Sequence, residues 1–232
     1  MEAVLEYLDK ASEELMELDA GEERFDELKN ELAAAEKEKE KAALELTKSR
    51  QDAAKELAMA IEDSLKELDM PKVKFFVEIK NSDYSHTGCD KVEFMICPNV
   101  GEPMKPLAQI ASGGELSRVM LAIKSILAEG ADTLIFDEID TGVSGNAALK
   151  IAKKLKELSA KKQVICVSHQ PQLAAIADNH IKISKSEEGE RTVTRLTKLS
   201  TDDRIKEIAR IIDGDNYTET AVMHAKEMLD LK

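Results

Sequence analysis

The run TLIFDEIDTGVSG, residues 133–145, decides how this chain is read. Its first half is a short, continuous apolar stretch, as expected of a strand buried on both faces of a parallel sheet. The stretch ends in adjacent acids, Asp137 and Glu138, and passes at once into a loop holding two glycines and a serine. Carboxylates at the carboxyl end of such a strand sit where open α/β sheets bind their ligands. Two acids there can divide labour, one helping to hold Mg²⁺ through its water shell and the next polarising an attacking water. This is the Walker B pattern. Acids also end many strands merely by facing solvent, so the pair has to be weighed with its neighbours.

QVICVSHQPQ (163–172) repeats the geometry. A second apolar run delivers His169 to the same sheet edge, close enough to a γ-phosphate to act as a hydrogen-bonding switch. Residues 145–159 read as the crossover helix between the two strands, with Asn146 or Ser144 capping it. The loop that opens at Asp140 is therefore a strand-to-helix turn beside the acids, and a candidate for relaying contact between subunits. Strand alternating with helix predicts the α/β class. Downstream, HIKIS (180–184) and RTVTRL (191–196) form a second hairpin, and helices around 202–212 and 217–230 close the chain. His86, His180 and His224 lack comparable company and are read as structural.

Upstream lies IASGGELSR (110–118). Ser112 has a hydroxyl to donate, Gly113 and Gly114 let the main chain approach an anion, and the helix that follows adds the positive end of its dipole. Ser112 and Glu115 also spell a capping box, and a cap and an anion site use the same amides. The helix carries its apolar stripe at Leu116, Val119, Met120, Ile123, Ile126 and Leu127. The phosphate-cradling loop GxxxxGK[ST] occurs nowhere in the chain.

The amino-terminal third has a different character. Up to Leu68 there is a single glycine, no proline, and a dense supply of strong helix formers. Leu28, Leu32, Ala35, Ala42 and Leu46, then Leu57, Ile61 and Leu68, recur at combinations of three and four, the seam of a coiled coil thinned by Lys39 and Ser49. Asp19-Ala-Gly21 reads as a turn or break, after which a helix of about 45 residues would extend ~65 Å. Met70-Pro71 ends the arm. Val73, Phe75, Val77 and Ile79, and after a polar loop Val92, Phe94 and Ile96, then alternate as a hairpin.

Of the net charge of −13, nearly all belongs to that arm: residues 1–70 hold 22 acids and 10 bases, the remainder 24 and 23. A uniformly basic nucleic-acid footprint is absent, which leaves room only for a local patch on the near-neutral remainder. Cys89, Cys97 and Cys166 are odd in number and contain no CxxC pair, which predicts reduced intracellular thiols. With no signal-peptide pattern and no apolar run near the roughly 18 residues of a membrane helix, a cytoplasmic protein with no membrane contact is expected.

The ordered set of SGGE, an apolar strand ending Asp-Glu, a glycine-bearing loop and a strand ending in His resembles the carboxyl-terminal lobe of an ABC-type ATPase head. More narrowly, GEPMKPLAQIASGGELSRVMLAIKSIL, TLIFDEIDTGVSG, QVICVSHQPQLAAIAD and the tail RIKEIARIIDG with TETAVMHAKEML closely resemble the bacterial RecN family of DNA repair proteins, relatives of the structural-maintenance-of-chromosomes (SMC) proteins. The resemblance covers about residues 70–228, and the preceding helix looks like the returning strand of that family's coiled coil. It implies an α/β fold, the C-terminal lobe of an ABC/P-loop-type ATPase head (70–232) carrying a long helical, coiled-coil arm (1–69). By the same resemblance Asp137 is the magnesium-linked acid, Glu138 the catalytic base and His169 the switch histidine. Ser112, Gly113 and Gly114 form the signature motif that meets the γ-phosphate of ATP held by the opposite subunit, and Asp140 opens the D-loop. Cofactors are then ATP and Mg²⁺; partners are an N-terminal P-loop lobe of the same family, a second head in a head-to-head homodimer, and DNA by resemblance alone. The P-loop lysine, Q-loop glutamine and adenine contacts have no counterpart here, and Gln109 lies too close to the signature to be the Q-loop residue. Half a composite site is expected neither to bind ATP tightly nor to turn it over. Competing readings are a transporter nucleotide-binding domain and a non-catalytic coiled-coil interaction module with a vestigial ATPase lobe.

Overall fold

The computed structural model describes residues 2–110, 112–128, 130–143, 145–188 and 191–230; Ser144, one of the two expected helix caps, lies outside them. Helix α1 spans Glu2–Glu67 as one continuous element. The expected break at Asp19-Ala-Gly21 is absent, since one glycine costs only about 1 kcal/mol among strong helix formers. The helix stops in a Schellman turn: Asp69 takes the left-handed conformation (φ 67°), Met70 N–H donates to Leu65 O at 2.9 Å, and Asp69 N–H donates to Lys66 O at 3.3 Å. Leu65 and Met70 are both buried, the apolar contact that accompanies this turn, and Pro71 prevents the helix resuming.

Strands β1 (Lys74–Ser85) and β2 (Gly88–Cys97) are neighbours in a three-stranded sheet, with the short β3 (Lys105–Pro106) antiparallel to β2. The polar stretch expected to be a loop is strand almost throughout. Val73, Phe75 and Val77 are buried as their alternation predicts, and the Phe75 ring tilts against Phe94 at 5.6 Å between centroids. Helix α2 (Gly113–Leu127) follows a 3₁₀ turn at Leu107–Gln109. Then come β4 (Thr133–Asp137), α3 (Gly145–Ser159), β5 (Gln163–Val167) and a short α4 (Pro171–Ile176). Strands β6 (Ile181–Glu188) and β7 (Arg191–Lys198) pair antiparallel, and α5 (Thr201–Asp213) and α6 (Glu219–Asp230) complete the order.

The chain forms two compact units, residues 1–54 with 79–92, and residues 55–78 with 93–232. In the first, Ala43 is buried on α1, while Leu28, Leu32 and Leu46 of the expected seam are exposed. Thr47 Oγ1 donates to both Asp90 carboxylate oxygens (2.8 and 2.9 Å), and Arg50 reaches Asp90 Oδ2 at 2.8 Å and Thr87 O at 2.7 Å. The Arg50 guanidinium, with smaller help from Thr47 against the cost of burial, lowers the Asp90 pKa.

In the second unit, Ile61, Leu65 and Leu68 of α1 are fully buried, as are Val119, Leu121, Ala148 and Ile151. Ala175, Ile208, Ala209, Ala221 and Ala225 make a small-residue core for α4, α5 and α6. Strands β4 and β5 run parallel in strict register, Thr133 opposite Gln163 through Asp137 opposite Val167. Burial on both faces, expected for these strands, does not hold. Leu134 and Phe136 face inward, but Ile135 is 71% exposed and Ile165 and Val167 are 45% and 44% exposed. Among the described residues this sheet has two strands, and its second face is left largely open to solvent.

Candidate nucleotide site

The carboxyl edge of β4 and β5 collects most of the residues singled out from the sequence. Asp137 is the last residue of β4 and exposed; by the alternation of the strand it shares the uncovered face with Ile135. Glu138 follows in the left-handed region (φ 48°), a conformation rare for a residue with a side chain and one that recurs at functional sites. Its backbone is pinned from both directions. The Glu138 N–H donates to Val167 O at 3.0 Å, and its carbonyl accepts from Thr141 N at 3.1 Å and from Thr141 Oγ1 at 2.8 Å. Asp137 and Glu138 border a groove of ≈ 440 Å³ whose apolar walls include Leu116 and Met120 of α2 and Phe136 of β4.

Ser112 caps α2 as its sequence predicts, its Oγ accepting from Glu115 N at 3.4 Å. The two glycines after it play different parts. A Cβ on Gly113 would meet only Thr141 O, at 3.9 Å, so the main chain there stays approachable. A Cβ on Gly114 would lie 2.6 Å from Gly142 O, and Gly142 itself holds φ 71°. The signature loop and the loop after the acids therefore touch backbone to backbone.

Those loops are also tied to the end of β5. Ser168 Oγ donates to Asp140 Oδ2 at 2.7 Å and accepts from Gln170 N at 2.9 Å, and Gln170 Nε2 donates to Val143 O at 2.9 Å. His169 between them is 70% exposed, its Nδ1 4.0 Å from Asp140 Oδ2. Asp140 is fully buried and turned toward its own chain. Burial pushes the Cys166 thiol up to about 12, and the charges of Asp140 and Asp137 push in the same direction. Sequence reading missed Thr141, Ser168 and Gln170. Their signal was available, since polar residues directly after a buried strand must find partners at the sheet edge.

The donor set fits a nucleotide with its magnesium. Mg²⁺ on a phosphate takes one or two protein carboxylates and leaves the remaining positions to water and phosphate, which Asp137 alone satisfies. Among the described residues no three His, Cys, Asp or Glu side chains gather as an all-protein metal cage. The three cysteines are free, and no described helix is long and apolar enough to cross a membrane.

No protein-family model matches the chain. Among curated proteins it is 41% identical to the DNA repair protein RecN of Halalkalibacterium halodurans over 238 residues, covering 100% of this chain and 42% of that protein. It is also 41% identical to RecN of Bacillus subtilis, over 99% of this chain and 43% of that protein. Solved structures with the same fold include an SMC ATPase described for ATP-driven dimerization and DNA-stimulated activation, at 20% identity and TM-score 0.52, covering 72% of this chain and 98% of that one. Another is the Smc head domain with a coiled coil and joint from Pyrococcus yayanosii, at 24% identity and TM-score 0.55, covering 69% of this chain and 29% of that one. The chain thus spans about two fifths of the length of the curated relatives it matches. Matched along its whole length to those relatives, and folded as SMC heads are, the chain belongs to the RecN family.

Proposed function

We propose that this chain is the carboxyl-terminal part of an SMC-like ATPase acting in recombinational repair of DNA double-strand breaks in the cytoplasm, with residues 1–69 as a coiled-coil arm and 70–232 as a head lobe. The lobe supplies half of a composite ATP site, and an N-terminal P-loop lobe supplies the other half. The observation that carries this reading is the uncovered face of the β4–β5 pair. A parallel sheet is ordinarily covered on both sides. Here the open side exposes Ile135, Ile165 and Val167 and ends at Asp137, so whatever covers that face also meets the acid.

In the assembled site, bound ATP with Mg²⁺ supplies the phosphoryl group and the charge that balances it. Asp137 would hold the metal through its water shell, and Glu138 would orient the attacking water and accept its proton. His169 hydrogen-bonds the γ-phosphate. Gly113 and Gly114 offer main-chain N–H groups and the helix dipole to the γ-phosphate on the opposite head, with Ser112 beside them. Asp140 opens the D-loop, whose backbone contact with the signature loop makes the two respond together. Head-to-head association follows from a signature that serves another subunit's nucleotide. DNA is the partner by family likeness.

Titration calorimetry on the 232-residue chain, alone and with the N-terminal lobe supplied as a separate polypeptide, tests the reading. Alone, no sub-micromolar ATP binding is expected; together, ATP binds and turns over. Glu138→Gln in the pair should abolish turnover and preserve ATP-dependent association of heads. Sub-micromolar binding by the chain alone, or unchanged turnover in the Glu138→Gln pair, would overturn the split-site assignment.

A further inference from the structure

The Asp140 carboxylate is fully buried, yet only one of its oxygens is engaged. Oδ2 accepts from Ser168 Oγ, whereas Oδ1 has no partner among the described residues. A carboxylate oxygen removed from water without a donor costs free energy. The side chain therefore has capacity for one more hydrogen-bond donor. Two ionisable neighbours flank it. The Cys166 thiol stays protonated near neutral pH and turns its weak donor toward Val167 O. His169 is the stronger donor, with Nδ1 4.0 Å from Oδ2, just beyond hydrogen-bonding range.

The residues around His169 are held while its ring is not. Ser168 is fixed as donor and acceptor at once, and Gln170 is anchored through both its backbone N–H and its side-chain amide. The imidazole between them is 70% exposed, so packing does not hold its side-chain torsions at the 4.0 Å separation. The geometry points to Asp140 as a positioning residue that accepts a hydrogen bond from His169 Nδ1–H and thereby leaves Nε2 as the ring nitrogen facing the sheet edge. A carboxylate behind an imidazole fixes its tautomer and orientation in this way wherever the opposite nitrogen has work to do. The inference rests on the reading of His169 as the residue that meets the γ-phosphate, which a ring bare at Nε2 reaches through a water that donates to both. It assigns the buried acid to the histidine of its own chain.

Histidine-selective ¹⁵N NMR on the 232-residue chain without nucleotide tests it, at about pH 8.5 where an ordinary imidazole is neutral. The His169 signal is the one lost in His169→Gln, and His86, His180 and His224 serve as internal references. The expected result is a His169 ring protonated mainly on Nδ1. Asp140→Ala should return it to the Nε2–H form that free imidazole favours. Ser168→Ala, which releases Oδ2 from its present partner, should preserve or strengthen the Nδ1–H form. A merely structural Asp140 would make those two variants behave alike, which would overturn the proposal. If Asp140→Ala does not fold, the unmodified chain decides: a predominantly Nε2–H ring overturns the assignment and an Nδ1–H ring supports it. Because the readout needs no ATP turnover, an inactive reconstituted head would leave this result standing. An Nε2–H ring in an active one would remove only the role of Asp140.

Discussion

Gly114 and Gly142 come from loops far apart in sequence and leave no room between them for even one carbon. Gly114→Ala would place its Cβ 2.6 Å from a backbone oxygen that cannot swing aside, and is expected to cost about 1–3 kcal/mol, read as a lowered urea midpoint. Gly113→Ala, with 3.9 Å of clearance, should leave the midpoint nearly unchanged. Equal effects of the two substitutions would mean that the loops separate readily in solution. From the sequence both glycines read alike, as places for an anion to approach the main chain. That reason remains sufficient for Gly113. Gly114 has a second one, and a contact with a residue 28 positions away leaves no local signature. Asp140 differs in the same manner: its place in the motif was legible, whereas its complete burial and its bond from Ser168 arise only on folding.

Among the elements, α4 shows why the short pieces were hard to read. Six residues are too few to stand as a helix unaided, so neither periodicity nor propensity declares it. Pro171 at its start was the one local clue. Its carboxyl end is satisfied from α5, where the buried Arg204 sends Nη2 to the carbonyls of Ala174, Ala175 and Ala177 at 3.1, 3.1 and 2.8 Å. Burial lowers the Arg204 pKa, and Asp178 works in the opposite direction. Arg204→Met, which keeps the stem and removes the donors, should destabilise the second unit by about 2–4 kcal/mol and speed amide exchange through α4. Arg204→Lys should restore little, because an ammonium lacks the guanidinium's planar fork. Unaltered exchange in α4 would show that its packing on Ala209 and Ala225 suffices. The longer elements were legible in the sequence, α3 to the residue and β4 and β5 within one, since their apolar runs or stripes were long enough to declare a period.

At the scale of the molecule, the parallel pair was read correctly as strands and incorrectly as fully covered. A continuous apolar run reports that a strand is destined to be buried; it does not say which polypeptide buries it. Ile135→Lys should therefore leave the chain's own stability within about 0.5 kcal/mol, because the side chain is 71% exposed. The same substitution should abolish co-purification with a separately expressed N-terminal lobe. Retained co-purification would move the docking surface elsewhere. The arm was legible as helix through composition, while its seam was legible only in part. Ile61 and Leu68 are buried, but Leu28 and Leu32 remain open to solvent, available to a second helix if the arm has the proposed coiled-coil role.

The attachment of Asp90 to Thr47 and Arg50 has a mechanical side. Its two helix partners lie three residues apart on one flank of α1, so turning the helix by a single residue, about 100°, would detach both. The strand hairpin consequently indexes the helix about its own axis. The direction in which Leu28 and Leu32 face is thereby tied to a carboxylate near the hairpin turn, which resists a twist applied along the arm.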